Sequence, residues 1–388
     1  MVSIELRRAR AGVATLFFTN GAVFANLAPR YPEVKADLAM GDAVYGLSVA
    51  AFPAGALAAG LLAAMLVRRF NSRVVAVVGT AFAAFALLAA GIAPTAVAFA
   101  VALFAAGAAD ALTDVGQNAH GLRVERRYGR SIINSFHAVW SLGAVAGGLM
   151  AAAAIALDAS RAVHMSVSTL LVLILAFGAY RYCLPGPDTA PVEAASAPVT
   201  TNHVNARVVL LIGALSLVGI GAAMIEDVAN SWAALYLRTE ADASATVAAF
   251  GFIALIGGQF IGRLLGDGLI DRLGQGAVAR IGGALIIAGF GVALSVPVTW
   301  VMLAGFVATG FGMATLIPGV MATADKIEGL RPSTGLTVVS WLMRIGGLVA
   351  SPLIGLLSEV EGLRAALFVV PVVGVVVLLF SGAMKGKA

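Results

Sequence analysis

Cysteine and charge are what this chain has least of. A single cysteine, Cys183, in 388 residues excludes an internal disulfide. Only four histidines occur, scattered and without metal-ligand spacing, so no metal site is expected. No Gly-x-x-x-x-Gly-Lys-Ser/Thr run is present, which removes support for ATP as a driving force. No nucleophile and base are paired by any motif, and neither an enzyme nor a cofactor is expected. Charged residues make up 12% of the chain, too few to cover the surface of a soluble protein of this length.

Hydrocarbon takes their place. Apolar residues make up 60% of the chain and the mean hydropathy is +0.97, the composition of a polytopic integral membrane protein. The formal net charge of +5 does not indicate nucleic acid, because the basic residues lie between apolar runs rather than in one patch. Runs long enough to cross a membrane are predicted at 11–29, 43–66, 74–93, 95–121, 132–156 and 163–184. A second set is predicted at 207–236, 244–266, 279–296, 299–323, 333–357 and 363–383. Arg7, Arg8 and Arg10 ahead of the first run imitate a secretory signal, but no small-x-small cleavage site follows, so a retained first helix is expected.

Pro185 to Ala206 is polar and rich in Pro and Ala, and reads as a flexible linker. The expected organisation is therefore all-α: a six-helix unit over 1–184, a linker over 185–206 and a second six-helix unit over 207–388. Of the 25 Lys and Arg residues, five (Arg30, Lys35, Arg161, Arg238 and Arg364) fall on one side of this arrangement and Arg344 falls within a span. The remaining nineteen fall on the other side, which places both termini and the linker in the cytoplasm. An internal repeat runs at a constant offset of 203: Gly55 matches Gly258, Arg69 matches Arg272, Gly107 matches Gly310 and Gly143 matches Gly346. It implies two halves of the same topology, related by an axis along the membrane normal.

One polar stripe interrupts the apolar runs. On a helix, Asp110, Asp114, Gln117, Asn118 and Gly121 share a face, with Thr113 at its edge. A carboxylate facing lipid costs several kcal/mol or more, so the stripe should face protein or a water-filled cavity.

Gly262-Arg263-Leu-Leu-Gly266-Asp267-Gly-Leu-Ile-Asp271-Arg272-Leu-Gly274 resembles the cytoplasmic loop signature Gly-x-x-x-Asp-Arg-x-Gly of the major facilitator superfamily. Its first-half counterpart, Ala64 to Arg73, keeps arginines, Arg69 among them, but has no acid. Asn20-Gly21, Pro29 to Lys35, Gln117-Asn118 and Phe136-His137 resemble the fucose-permease-like and bacterial inner-membrane branch. The resemblance implies twelve helices, alternating access and a central cavity lined by spans 1, 4, 7 and 10. The stripe on span 4 would then face that cavity.

A carboxylate in a partly dry cavity holds its proton more tightly than in water and can exchange it as the cavity opens. Asp110 or Asp114 is thus expected to couple transport to protons, with Gln117 and Asn118 binding substrate. The plain alternative is that both aspartates serve packing. Glu226-Asp227, with Asn230 and Trp232, form an outer gate or second protonation site, or else interfacial residues. Neighbouring helix residues point about 100° apart, so at most one of the two acids should face a cavity squarely. Arg344, in the middle of span 11, needs a partner: an acid such as Asp110 or Glu226, an anionic substrate, or a structural pairing. Asn20 and His137 complete the substrate-binding candidates, although a lone histidine in a bundle is more often packing. Trp140 and Gln259 are weaker ones.

Gly262, Arg263, Gly266, Asp267, Asp271, Arg272 and Arg69 form the implied conformational latch. The basic stretch Arg123 to Arg130 reads as a topology determinant that also touches anionic membrane lipid. The expected partners are a small-molecule substrate and protons, with the monomer as the working unit. Uptake of a polar solute and efflux of a drug or metabolite both remain open, as does a sensor or assembly role.

Overall fold

The structure, a computed structural model, describes residues 3–129, 132–186, 188, 205–327, 330 and 334–384. Every described element is a helix. Twelve are long and apolar enough to cross a membrane: spans 1 to 6 are Ile4–Asp37, Asp42–Phe70, Ser72–Gly91, Ala96–Tyr128, Ser135–Ala156 and Arg161–Tyr180. Spans 7 to 12 are Ala206–Ser231, Ala245–Leu273, Gln275–Ser295, Thr299–Asp325, Thr334–Glu361 and Leu363–Met384. All twelve predicted runs are there, and most helices overrun them because a helix continues past the apolar stretch into polar sequence. Of the predicted linker, 187 and 189–204 lie outside the described residues, as do Arg130, Arg331, Lys385 and Lys387.

Local chemistry starts and stops these helices. Thr95, Ser160, Asn205 and Ser244 each cap a helix by accepting the N–H three residues on, as Thr95 does from Ala98 at 3.1 Å. Pro29 and Pro32 sit in the first turns of short helices and break span 1 into Ile4–Ala25, Ala28–Arg30 and Tyr31–Asp37. Span 7 stops at Ser231, and a separate helix, Ala233–Glu240, follows Trp232. Leucines, valines and phenylalanines such as Leu61, Val97 and Leu379 cover the outside of the bundle, the reverse of a soluble fold.

Glycines set how closely the helices approach. A Cβ on Gly55 would strike the carbonyl oxygen of Phe104, and one on Gly107 that of Phe52, so spans 2 and 4 touch backbone to backbone. At an offset of 203, Gly258 meets the carbonyl of Val307 and Gly310 that of Leu255. Spans 8 and 10 therefore pack as spans 2 and 4 do.

The terminal face carries Ser3 and Met384. Spans 1–6 and 7–12 meet mainly toward the opposite face. There span 11 packs on Asp42–Val49 but only grazes Ala51–Phe70. Ser358 donates to the Asp42 carboxylate, which also pairs with Lys35 at 2.9 Å, and the Ala43 N–H donates to Glu359 at 3.1 Å. Toward the terminal face the two sets of spans diverge, leaving Asp114 and His137 exposed.

Candidate functional site

A cavity of about 460 Å³ lies between the two sets of spans. Seven predicted residues line it: Asn20 from span 1, Asp110 from span 4, Trp140 from span 5, Glu226, Asp227 and Asn230 from span 7, and Arg344 from span 11. Glu226 and Asp227 both reach it, against the expectation of one, because each follows a different neighbour. Glu226 accepts from Gln259 at 3.2 Å and pairs with Arg263 at 3.8 Å, whereas Asp227 turns to accept from the Ser351 hydroxyl.

Asn20 is the hub of the first wall. Its amide nitrogen donates to Asp110 at 2.7 Å, while its amide oxygen accepts from Trp140 at 2.8 Å and Gln117 at 3.2 Å. A buried amide spends both its donor and its acceptor here, as desolvation requires. Asp114 accepts from Gln117 at 3.4 Å and Asn118 at 2.9 Å, so amides join the two aspartates into one network. Gln117 is fully buried and its side-chain oxygen has no hydrogen-bond partner.

Asp114, Gln117, Asn118 and His137 do not line the cavity itself. Asp114 is exposed on the terminal-face side, and Asn118 holds it rather than presenting a free amide. His137 lies edge-on to Phe17 at 5.2 Å.

Trp232 is not a cavity wall. It is fully buried below the cavity, its indole N–H donating to Ser351 at 3.0 Å and its ring edge-on to Tyr45 at 5.0 Å. Tyr45 in turn donates to the carbonyl of Ser231. With Tyr31, 6.2 Å from Tyr45, these rings close the end of the cavity away from the terminal face.

The latch residues divide. Gly262 and Gly266 pack against Ala314 and Thr315 of span 10. Asp267, Asp271, Arg272 and Arg69 are exposed and make no ion pair among the described residues. Most of the implied loop is the last turns of span 8, which runs to Leu273. Arg263 lies within the predicted run 244–266 and points into the bundle. It reaches Glu226, the Ser141 hydroxyl at 3.4 Å and the face of Trp140 at 6.0 Å, so it does not belong with the basic residues counted outside the spans.

The basic stretch Arg123 to Arg130 begins inside span 4, and one of its residues departs from the expected lipid contact, whereas Arg126 and Arg127 are exposed. Arg123 is buried and donates to the carbonyls of Pro185 and Gly186 and to Asp188, so it faces protein rather than lipid.

Sequence reading missed Tyr31, Phe24, Phe52 and Ser340 in the lining. The broken helix Pro29-Arg30-Tyr31-Pro32 was the one available signal, since an interrupted helix at membrane depth is tolerated where it borders a cavity.

The sequence profile of the Major Facilitator Superfamily matches residues 13–268. The membrane protein MosC of Rhizobium meliloti is 31% identical over 367 residues, covering 94% of this chain and 87% of that protein. An uncharacterized transporter, y4wD, of Sinorhizobium fredii is 28% identical over 380 residues, covering 96% of this chain and 97% of that protein. Among solved structures, the nucleoside transporter NupG superposes with a TM-score of 0.75 at 14% identity, covering 98% of this chain and 100% of that one. FucP, in an outward conformation, superposes with a TM-score of 0.62 at 16% identity, covering 97% and 98%.

Proposed function

Because the chain belongs to the major facilitator superfamily, we propose that it is a proton-coupled transporter that takes up a small polar solute by alternating access. It is an integral membrane transporter of small molecules, not an enzyme. One observation carries the finer reading: Asn20 and Asp110 from the first six spans meet Glu226, Asp227, Asn230 and Arg344 from the last six in one cavity. Charged and amide side chains in a bilayer interior are too costly to keep unless they border a wet passage or one another.

In this reading residues 1–184 and 207–388 are the two moving bodies, joined by the linker. The terminal face is cytoplasmic, as the distribution of Lys and Arg supports, in a bacterial inner membrane. The open side, where Asp114 and His137 stand exposed, then makes this the inward-open state. The unpaired latch acids and arginines fit that state, since they would pair only when the inner ends approach.

Asp110 is the proton-coupling acid. Neutral, it leaves the Asn20 network intact and lets the emptied cavity reorient; charged, it opposes closure in a drying site. Asp114, tied to it through Asn20 and Gln117, faces the inner opening and exchanges protons there. The monomer holds the complete site.

Proteoliposomes carrying an internal pH dye test this. A panel of sugars, nucleosides and organic acids is added outside under an inward proton gradient. At least one solute should accumulate and acidify the lumen. Asp110→Asn should abolish gradient-driven accumulation while leaving solute exchange without a gradient. Unchanged proton dependence in Asp110→Asn would remove the assignment, and outward movement would reverse the direction.

A further inference from the structure

Arg344 is the odd member of the cavity. Among the described lining residues there are three carboxylates and one cation. Each carboxylate already has a protein partner: Asp110 has Asn20, Glu226 has Gln259 and Arg263, and Asp227 has Ser351. Arg344 is exposed to the cavity and makes no ion pair within 4.0 Å and no hydrogen bond among the described residues. Asp114 feels its charge, but from beyond ion-pair distance and on the open side.

A guanidinium so deep in a span cannot reach the headgroups, and leaving it without an anion when the cavity closes carries a desolvation cost. The missing anion must arrive with the solute. From this we infer that the cavity takes a monocarboxylate, its carboxylate held by Arg344 and its body lying against the aromatic wall of Phe24, Phe52 and Phe252.

The charge count selects the class. Arg344 supplies one positive charge and offsets one negative charge, whereas a phosphate dianion would bring a second that no other described lining residue offsets. The planar fork of arginine also suits the two oxygens of a carboxylate. Asn230 lines the same cavity with no hydrogen-bond partner among the described residues and supplies a donor for a second oxygen or a hydroxyl. A proton carried with a monocarboxylate makes the loaded step neutral overall.

This inference rests on the reading of the cavity as the solute site, and its test separates the two. Thermal unfolding of the purified full chain is followed with benzoate, phenylacetate, nicotinate and glucuronate, each beside its neutral amide, and with glucose and glucose 6-phosphate. At least one carboxylate should raise the midpoint by about 2 °C or more at saturating millimolar concentration while its amide does not. Arg344→Gln should weaken that carboxylate at least about tenfold, and Arg344→Lys should recover part of the loss. A carboxylate that binds in this way but is never transported would leave the inference standing and sink the transport reading. Equal shifts from acid and amide, a shift that survives Arg344→Gln, a shift from the phosphate instead, or no shift from any acid would each overturn the inference. Proton-driven uptake of glucose with no response to the acids would overturn it while the transport reading stood.

Discussion

Asn20 shows how much one amide can hold together. Its removal leaves the Trp140 N–H, the Gln117 amide and the Asp110 carboxylate each short of a partner inside the bundle. Asn20→Ala should therefore cost about 1–3 kcal/mol, read as a lower unfolding midpoint, and should uncouple solute from protons even where binding survives. Trp140→Phe, which removes one donor and keeps the ring, should cost less in the same assay. Cys183 offers a control at this scale. It lies just beyond span 6, and burial pushes its thiol up to about 12, with the nearby Arg73 only partly offsetting the effect. Below that value the thiol stays protonated, so maleimide should fail to label the folded protein at pH 7 to 8 and should label it once denatured.

At the level of the helix, close packing explains which substitutions matter. Gly55 touches the backbone of span 4, so Gly55→Val must push spans 2 and 4 apart, at about 1–3 kcal/mol of overpacking or more. Gly60, one and a half turns on, has nothing within 4 Å of where a Cβ would stand. Gly60→Ala should stay within about 0.5 kcal/mol. Denaturation midpoints of the two variants in one detergent check the contrast, and equal midpoints would mean the close approach of spans 2 and 4 is not what the glycine serves. The same logic makes the repeat informative. A composition rich in glycine produces chance matches, but Gly55 with Phe104 and Gly258 with Val307 are the same contact made twice.

For the molecule as a whole, the closure away from the terminal face rests on few bonds. Ser358 to Asp42, the Ala43 N–H to Glu359, and Tyr45 to Ser231 tie spans 1–6 to spans 7–12 there. A reporter cysteine at Ala56, in the cavity lining, should react with a membrane-impermeant thiol reagent applied to the terminal face and resist it from the other. Asp42→Ala combined with Ser358→Ala should raise labelling from the opposite face several-fold by shifting the balance between the two states. Labelling unchanged in the double variant would show that the aromatic closure around Tyr31, Tyr45 and Trp232 is sufficient alone.

Twelve membrane-crossing helices, and the polar stripe from Asp110 to Asn118, were legible in the residues themselves. Hydrophobic length and helical spacing are local properties, set by the thickness of the membrane and the pitch of the backbone. Trp232, Arg263 and Arg123 were not legible in this way. Trp232 follows a helix end that turns its ring beneath the cavity, and Arg263, inside the predicted run, is turned toward Ser141 and Trp140 by the packing of span 8 against span 5. Arg123 was claimed by the chain that follows span 6. Which carboxylate finds an amide, and which guanidinium is left facing open space, depends on the rotation of each helix against its neighbours. That rotation is decided by packing between residues far apart in the chain, and only the folded molecule contains it.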